Sequence, residues 1–142
     1  MKVRIQRIEK DLPLPSYQTE GAVAFDLYSR IDIEVPPRSH TLIPTNIIVE
    51  IPPGYMLLLA VRSSTPRRKG LMKSNGVGIV DQDFCGAEDE IHLQVYNPNN
   101  EPVMVQRGER IGQAVFVPIE RAEWEEGEMT GKTRGGFGST WK

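Results

Sequence analysis

Ile91-His-Leu-Gln-Val-Tyr96 alternates apolar and polar residues without interruption, and Pro98-Asn99-Asn100 follows almost at once. A period of two puts Ile91, Leu93 and Val95 on one face, the pattern of a strand with one buried side, and the Pro-Asn-Asn group marks the turn that ends it. Working outward, strand-length apolar runs recur at Val3–Ile8, Ile31–Val35, Thr41–Ile51, Tyr55–Val61, Val103–Val105 and Ile111–Val117, cut apart by breaks such as Pro52-Pro53-Gly54. No long segment repeats its apolar residues every 3.6 positions. One short helix is expected after Thr65-Pro66, over Arg67–Leu71, because proline suits a first helical turn. The expected fold is all-β: a compact antiparallel barrel or jelly-roll-like sandwich with a flexible Gly-rich tail from about Glu123.

With 142 residues the chain is expected to form one domain, 1–142, able to bury roughly two-thirds of its unfolded surface. A net charge of −2 supplies no field to gather a polynucleotide, so nucleic acid is not an expected partner. The lone Cys85 excludes an internal disulfide, and no apolar run reaches the length of a signal sequence or membrane span. A soluble, cytoplasmic chain with no membrane partner is expected. His40 and His92 have no second ligand at zinc spacing.

Local charge is uneven. Arg62, Arg67, Arg68, Lys69 and Lys73 occur without an intervening acid, and Asp81, Asp83, Glu88, Asp89 and Glu90 then occur without an intervening base. Such blocks form solvated faces, and they also suit a site that must hold a polyphosphate beside a metal. Two motifs mislead. Gly127-Glu-Met-Thr-Gly-Lys-Thr133 has three residues between its glycines where a P-loop has four, and too little chain follows it for the helix a P-loop needs. Gly-x-Ser-x-Gly is absent. The final thirteen residues, Thr130–Lys142, gather four glycines around Phe137, with Arg134, Ser139 and Thr140 as donors for anionic oxygen. Such a stretch reads either as a solvated terminus or as a lid over a nucleotide.

Five stretches decide between these readings: Ala24-Phe-Asp-Leu27, Arg62-Ser-Ser64, Asn75–Gly86, Gly108-Glu-Arg-Ile-Gly-Gln113 and Gly135-Gly-Phe-Gly-Ser-Thr140. Their order and spacing resemble the five motifs of the trimeric dUTP diphosphatases, over nearly the whole chain. The resemblance implies a β-clip fold, a homotrimer with active sites at subunit interfaces, and Mg²⁺-assisted hydrolysis of dUTP to dUMP and pyrophosphate. That reaction limits dUTP and supplies dUMP for thymidylate synthesis. By the same resemblance Asp81 activates the attacking water. Asn75 and the strand backbone at Gly78 and Val80 read uracil, and Phe84 stacks on the deoxyribose. Arg62, Ser63, Ser64 and Gln113 meet the phosphates, and Arg134, Phe137, Gly138 and Ser139 belong to an arm, about 123–142, that closes over the site. Asp26 supports this network, either toward metal and phosphate or as a structural partner of Arg62. Direct protein ligands to Mg²⁺ are not expected, since the ion prefers phosphate oxygens and retained waters. Each residue also has a plainer reading: Asp81 as a turn residue, Asn75-Gly76 as a turn pair, Phe84 as a core aromatic.

The chain departs from the pattern in places. Ala24 replaces a usual Gly, Phe84 a usual Tyr, and Ala87-Glu-Asp-Glu90 lengthens the segment between Gly86 and Asn97. In the tail the usual Arg position holds Lys132, with Arg134 nearer the glycines, and Trp141 replaces a further Gly. Two other functions compete: a dCTP deaminase of the same fold, with Glu88 or Glu90 as its base, and a nucleotide-sensing trimer without catalysis.

Overall fold

The computed structural model describes residues 1–139; the expectations attached to Thr140 and Trp141 lie outside the described residues. Among the described residues there are eleven short strands and one helix: β1 Ile5–Arg7, β2 Phe25–Tyr28, β3 Ile33–Val35, β4 His40–Pro44, β5 Ile47–Val49, β6 Tyr55–Val61, α1 Thr65–Lys69, β7 Met72–Lys73, β8 Gly78–Val80, β9 His92–Tyr96, β10 Val103–Val105 and β11 Arg110–Pro118. Every pairing is antiparallel. The ladders divide into four sheets, in the orders β1-β5, β10-β3, β2-β11-β6-β8 and β4-β9-β7. The all-β antiparallel architecture is the one the alternating runs imply.

The sheets wrap one apolar core in which Leu27, Ile43, Leu57, Leu93, Val35 and Val105 are fully enclosed. Each such side chain stabilises the fold by about 2 kcal/mol relative to exposure. The alternation of β9 works as read: Leu93 and Val95 are buried while His92 is exposed. The apolar run Thr41–Ile51 does not form one strand. Asn46 adopts φ 71, a left-handed conformation that an Asn tolerates, and so splits the run into β4 and β5. Both ends of its side chain are bonded, Oδ1 accepting from the Glu9 N–H at 2.7 Å and Nδ2 donating to the Glu9 carbonyl at 3.0 Å.

Two local features position the site. Gly112 of β11 lies so close to its neighbours that a Cβ there would sit 2.8 Å from Leu93 Cδ2 and 3.0 Å from the Ala60 carbonyl oxygen. Beside it the β11–β2 register slips between Arg110 and Gly112, a bulge that re-aims the Arg110 side chain relative to a regular strand. Helix α1 starts with Pro66 in its first turn and stops at Gly70, whose φ of 70 lets its N–H donate back to the Pro66 carbonyl. After β11, Ile119 still donates to the Gly54 carbonyl at 2.9 Å, and residues 120–135 then run exposed without regular structure. No helix among the described residues is long and apolar enough to cross a membrane.

Candidate active site

Strand β8 and the turn after it build the first half of the site. Gly78 packs against Leu59 of β6 so closely that an added Cβ would lie 3.1 Å from the Leu59 Cβ. Beyond it, a cavity of about 290 Å³ is lined by Asn75, Gly78, Val80, Asp81 and Phe84, together with Lys73, Glu90, His92 and Gln94. Five residues singled out from separate positions of the Asn75–Gly86 stretch therefore share one opening. β8 is the outer strand of its sheet, so one side of its backbone has no strand partner. Asp81 is exposed at the strand's end, and its carbonyl accepts from the Phe84 N–H at 3.3 Å, closing a turn that leaves Phe84 41% exposed. Lys73 Nζ donates to Asn75 Oδ1, and His92 Nδ1 lies 2.8 Å from the Glu90 carbonyl oxygen.

The second half lies at the junction of β6, α1 and β11. Arg62, Ser64, Arg68, Lys69, Glu109 and Arg110 line a separate cavity of about 260 Å³ that shares no lining residue with the first. Buried Asp26 pairs with Arg62 Nε at 3.3 Å and accepts from Arg110 Nη1 at 3.0 Å. One carboxylate thus faces two guanidinium groups. The Asp26–Arg62 pair that the sequence left open is formed, with Arg110 as an additional partner. Lys69 is matched by Glu109 at 2.7 Å, so the surplus positive charge belongs to Arg68 and to Arg62 and Arg110, which share Asp26. Ser63 is exposed, and Gln113, opposite Asp26 on β2, donates to the Val61 carbonyl at 3.1 Å.

The tail residues join neither cavity. Phe137, with φ 51, is fully exposed, and Gly136 and Ser139 close a small turn in which the Gly136 N–H donates to Ser139 Oγ at 2.7 Å. Gly135, at φ 78, adopts the left-handed conformation that favours glycine. Arg134 and Gly138 are exposed.

Three residues that matter were not singled out by sequence reasoning. Arg110 lies within a quoted motif, Lys73 within the basic block, and only their contacts distinguish them from neighbouring cations. Arg30 carried no signal at all, yet it engages Glu90. Its Nε and Nη2 donate to the two Glu90 carboxylate oxygens at 2.7 and 3.0 Å, and the Asn46 N–H adds a third bond at 2.8 Å. The Glu90 hydrogen bonds hold Arg30 above the ordinary guanidinium pKa. Glu90 borders the first cavity but is already engaged, so it is not a free base for attack on a cytosine ring. No group of three His, Cys, Asp or Glu is clustered for a metal ion among the described residues.

An antiparallel β fold with a small, mainly apolar cavity beside an exposed carboxylate, and a separate arginine cavity, has the chemistry to hold a base and a polyphosphate and to direct water at the latter. The dUTPase family pattern matches residues 10–141, and the chain belongs to the dUTPase family. The deoxyuridine 5'-triphosphate nucleotidohydrolase of Dictyoglomus turgidum is 42% identical over 99% of this chain and 98% of its own. The solved dUTPase of Streptococcus mutans is 31% identical, covers 84% of this chain and 98% of its own, and superposes with a TM-score of 0.77. A variant dUTPase from phage phi11 of S. aureus, described for its coordination of a structural Mg(II) ion, shares the fold. It is 19% identical over 91% of this chain and 98% of its own, with a TM-score of 0.81.

Proposed function

We propose that this chain hydrolyses dUTP to dUMP and pyrophosphate, by attack of water on the α-phosphorus, thereby limiting dUTP and supplying dUMP for thymidylate synthesis. The observation that carries this reading is the β8 cavity: an unpaired strand edge for a base, with exposed Asp81 at its end and Phe84 one turn later. Uracil offers N3–H and O4, which a fixed backbone edge and Asn75 match, whereas cytosine presents a bare N3 and an amine and leaves partners unpaired. Phe84 supplies a flat face for the deoxyribose. Asp81 orients the water and takes its proton, a role for a carboxylate fixed at a strand end.

The phosphates are met by Arg62, Ser63, Ser64 and Gln113, with Asp26 holding Arg62 in place. Arg134, Phe137, Gly138 and Ser139, in the arm from about 123 to 142, close over the base and the γ-phosphate. Closure of that kind excludes stray water and aligns the reacting groups. The two cavities and the tail lie apart within one chain, which supports a homotrimer whose sites form between subunits. Mg²⁺ is the proposed cofactor. Asp26 is taken up by two arginines and no three-ligand cluster is available among the described residues, so these residues suit an ion that arrives on the triphosphate and keeps its waters. When bound it neutralises phosphate charge. A single unpaired cysteine fits the reducing cytoplasm, the proposed setting.

The test is product analysis with dUTP and dCTP separately, each with Mg²⁺. Pyrophosphate from dUTP alone supports the reading, and ammonia from dCTP or no product from either would overturn it. Asp81→Asn should lower kcat by about 10³-fold, within the range for loss of a general base, while calorimetry with a non-hydrolysable dUTP analogue detects nearly unchanged affinity.

A further inference from the structure

We propose that Lys73 orients the Asn75 side-chain amide so that its Nδ2 faces the cavity, making Lys73 a positioning residue for selection of uracil over cytosine. The inference rests on the reading of Asn75 as a base-contacting residue. Lys73 ends β7, an outer strand held only by β9, and its side chain lines the same cavity as Asn75, Gly78 and Phe84. It forms no ion pair among the described residues: neither carboxylate bordering this cavity, Asp81 or Glu90, pairs with it, and Glu90 is engaged by Arg30 and by the Asn46 N–H. The polar contact it does make is with Asn75 Oδ1.

An ammonium group carries donors and no acceptor. Only the oxygen of a carboxamide can meet it, so the contact determines which end of Asn75 is which. Nδ2, a pure donor, is the end left over. A donor complements the C4 carbonyl of uracil and opposes the C4 amine of cytosine. Without Lys73 the amide can turn by 180° about its last bond and offer its oxygen to that amine, since such terminal torsions are nearly two-fold. Lys73 therefore acts on the ratio between bases more than on the chemical step. Burial lowers the Lys73 pKa below its ordinary value, a sign that the cation sits where water solvates it poorly.

Pyrophosphate release from dUTP and from dCTP, measured for the parent enzyme, Lys73→Met, Asn75→Ala, the double variant and Lys73→Arg, tests this. Lys73→Met should lower the dUTP-to-dCTP ratio of kcat/KM by about tenfold, the size of one net hydrogen bond. The loss should appear as a higher KM for dUTP and better use of dCTP, with an unchanged or higher Tm. The double variant should match Asn75→Ala, and Lys73→Arg, also a pure donor, should restore most of the ratio. If Asn75→Ala lowers the ratio but Lys73→Met does not, or if the two effects simply add, the positioning role is wrong. If Asn75→Ala itself leaves the ratio unchanged, the base-contact reading fails first and takes this inference with it.

Discussion

Two clusters in this molecule are made from the same parts and do opposite work. Around Glu90, one carboxylate meets one guanidinium through two bonds and a backbone N–H through a third. Around Asp26, one carboxylate is divided between two guanidiniums, Arg62 and Arg110. Both carboxylates are equally enclosed, with side chains 10% exposed. The difference lies in the cations: Arg30 is 24% exposed, whereas Arg62 and Arg110 are 31% and 39% exposed. The first cluster is saturated and holds Asn46, the joint between β4 and β5. The second carries a surplus positive charge that opens into a cavity and can still take an anion. The count of partners, and where they open, separates scaffold from site when residue types alone do not.

The comparison can be broken most directly at Glu90. Glu90→Gln removes the nearer of the two carboxylates that Arg30 meets, leaving Glu9 at 3.6 Å, and should cost about 2 kcal/mol of stability, the scale of lost hydrogen bonds to a charged group. Chemical denaturation would measure that loss, and a variant as stable as the parent would mean the cluster is not saturated scaffold. Arg110→Gln should do the reverse. Asp26 keeps Arg62, so the midpoint of unfolding should hardly move, while KM for dUTP rises about tenfold from loss of one charge-assisted hydrogen bond. A large fall in stability with normal kinetics would make the Asp26 cluster structural like the first. The smallest effect belongs to Arg4 and Glu50, which pair at 3.4 Å with side chains 85% and 53% exposed. Glu50→Gln should change stability by less than about 0.5 kcal/mol, since solvent and salt screen such pairs; thermal unfolding at two salt concentrations sets that baseline.

Much of the architecture was written locally. The period-two alternation at Ile91–Tyr96, the breaks at Pro52-Pro53-Gly54, and Pro66 before a short basic run each specify an element through backbone geometry that near neighbours decide. The runs Tyr55–Val61 and Val103–Val105 coincide with β6 and β10. β2 and β7 were not seen as strands, because two to four residues are too few to display a period and they exist through pairing with β11 and β9. The split at Asn46 was equally hidden: its cost is met by Glu9 and Glu90, 37 and 44 positions away.

The chemistry divides in the same way. From its sequence alone this protein already had an all-β fold, the five motif stretches, and Asp81, Asn75 and Phe84 as residues of interest, since each depends on residue type and spacing within a short segment. Only the tertiary structure decided that Asp26 serves two arginines, that Glu90 is held by Arg30, and that Lys73 meets Asn75 at the edge of a cavity. Those outcomes depend on which charges the sheets bring within about 4 Å of one another, where electrostatic interaction becomes strong, and linear order carries no record of that distance.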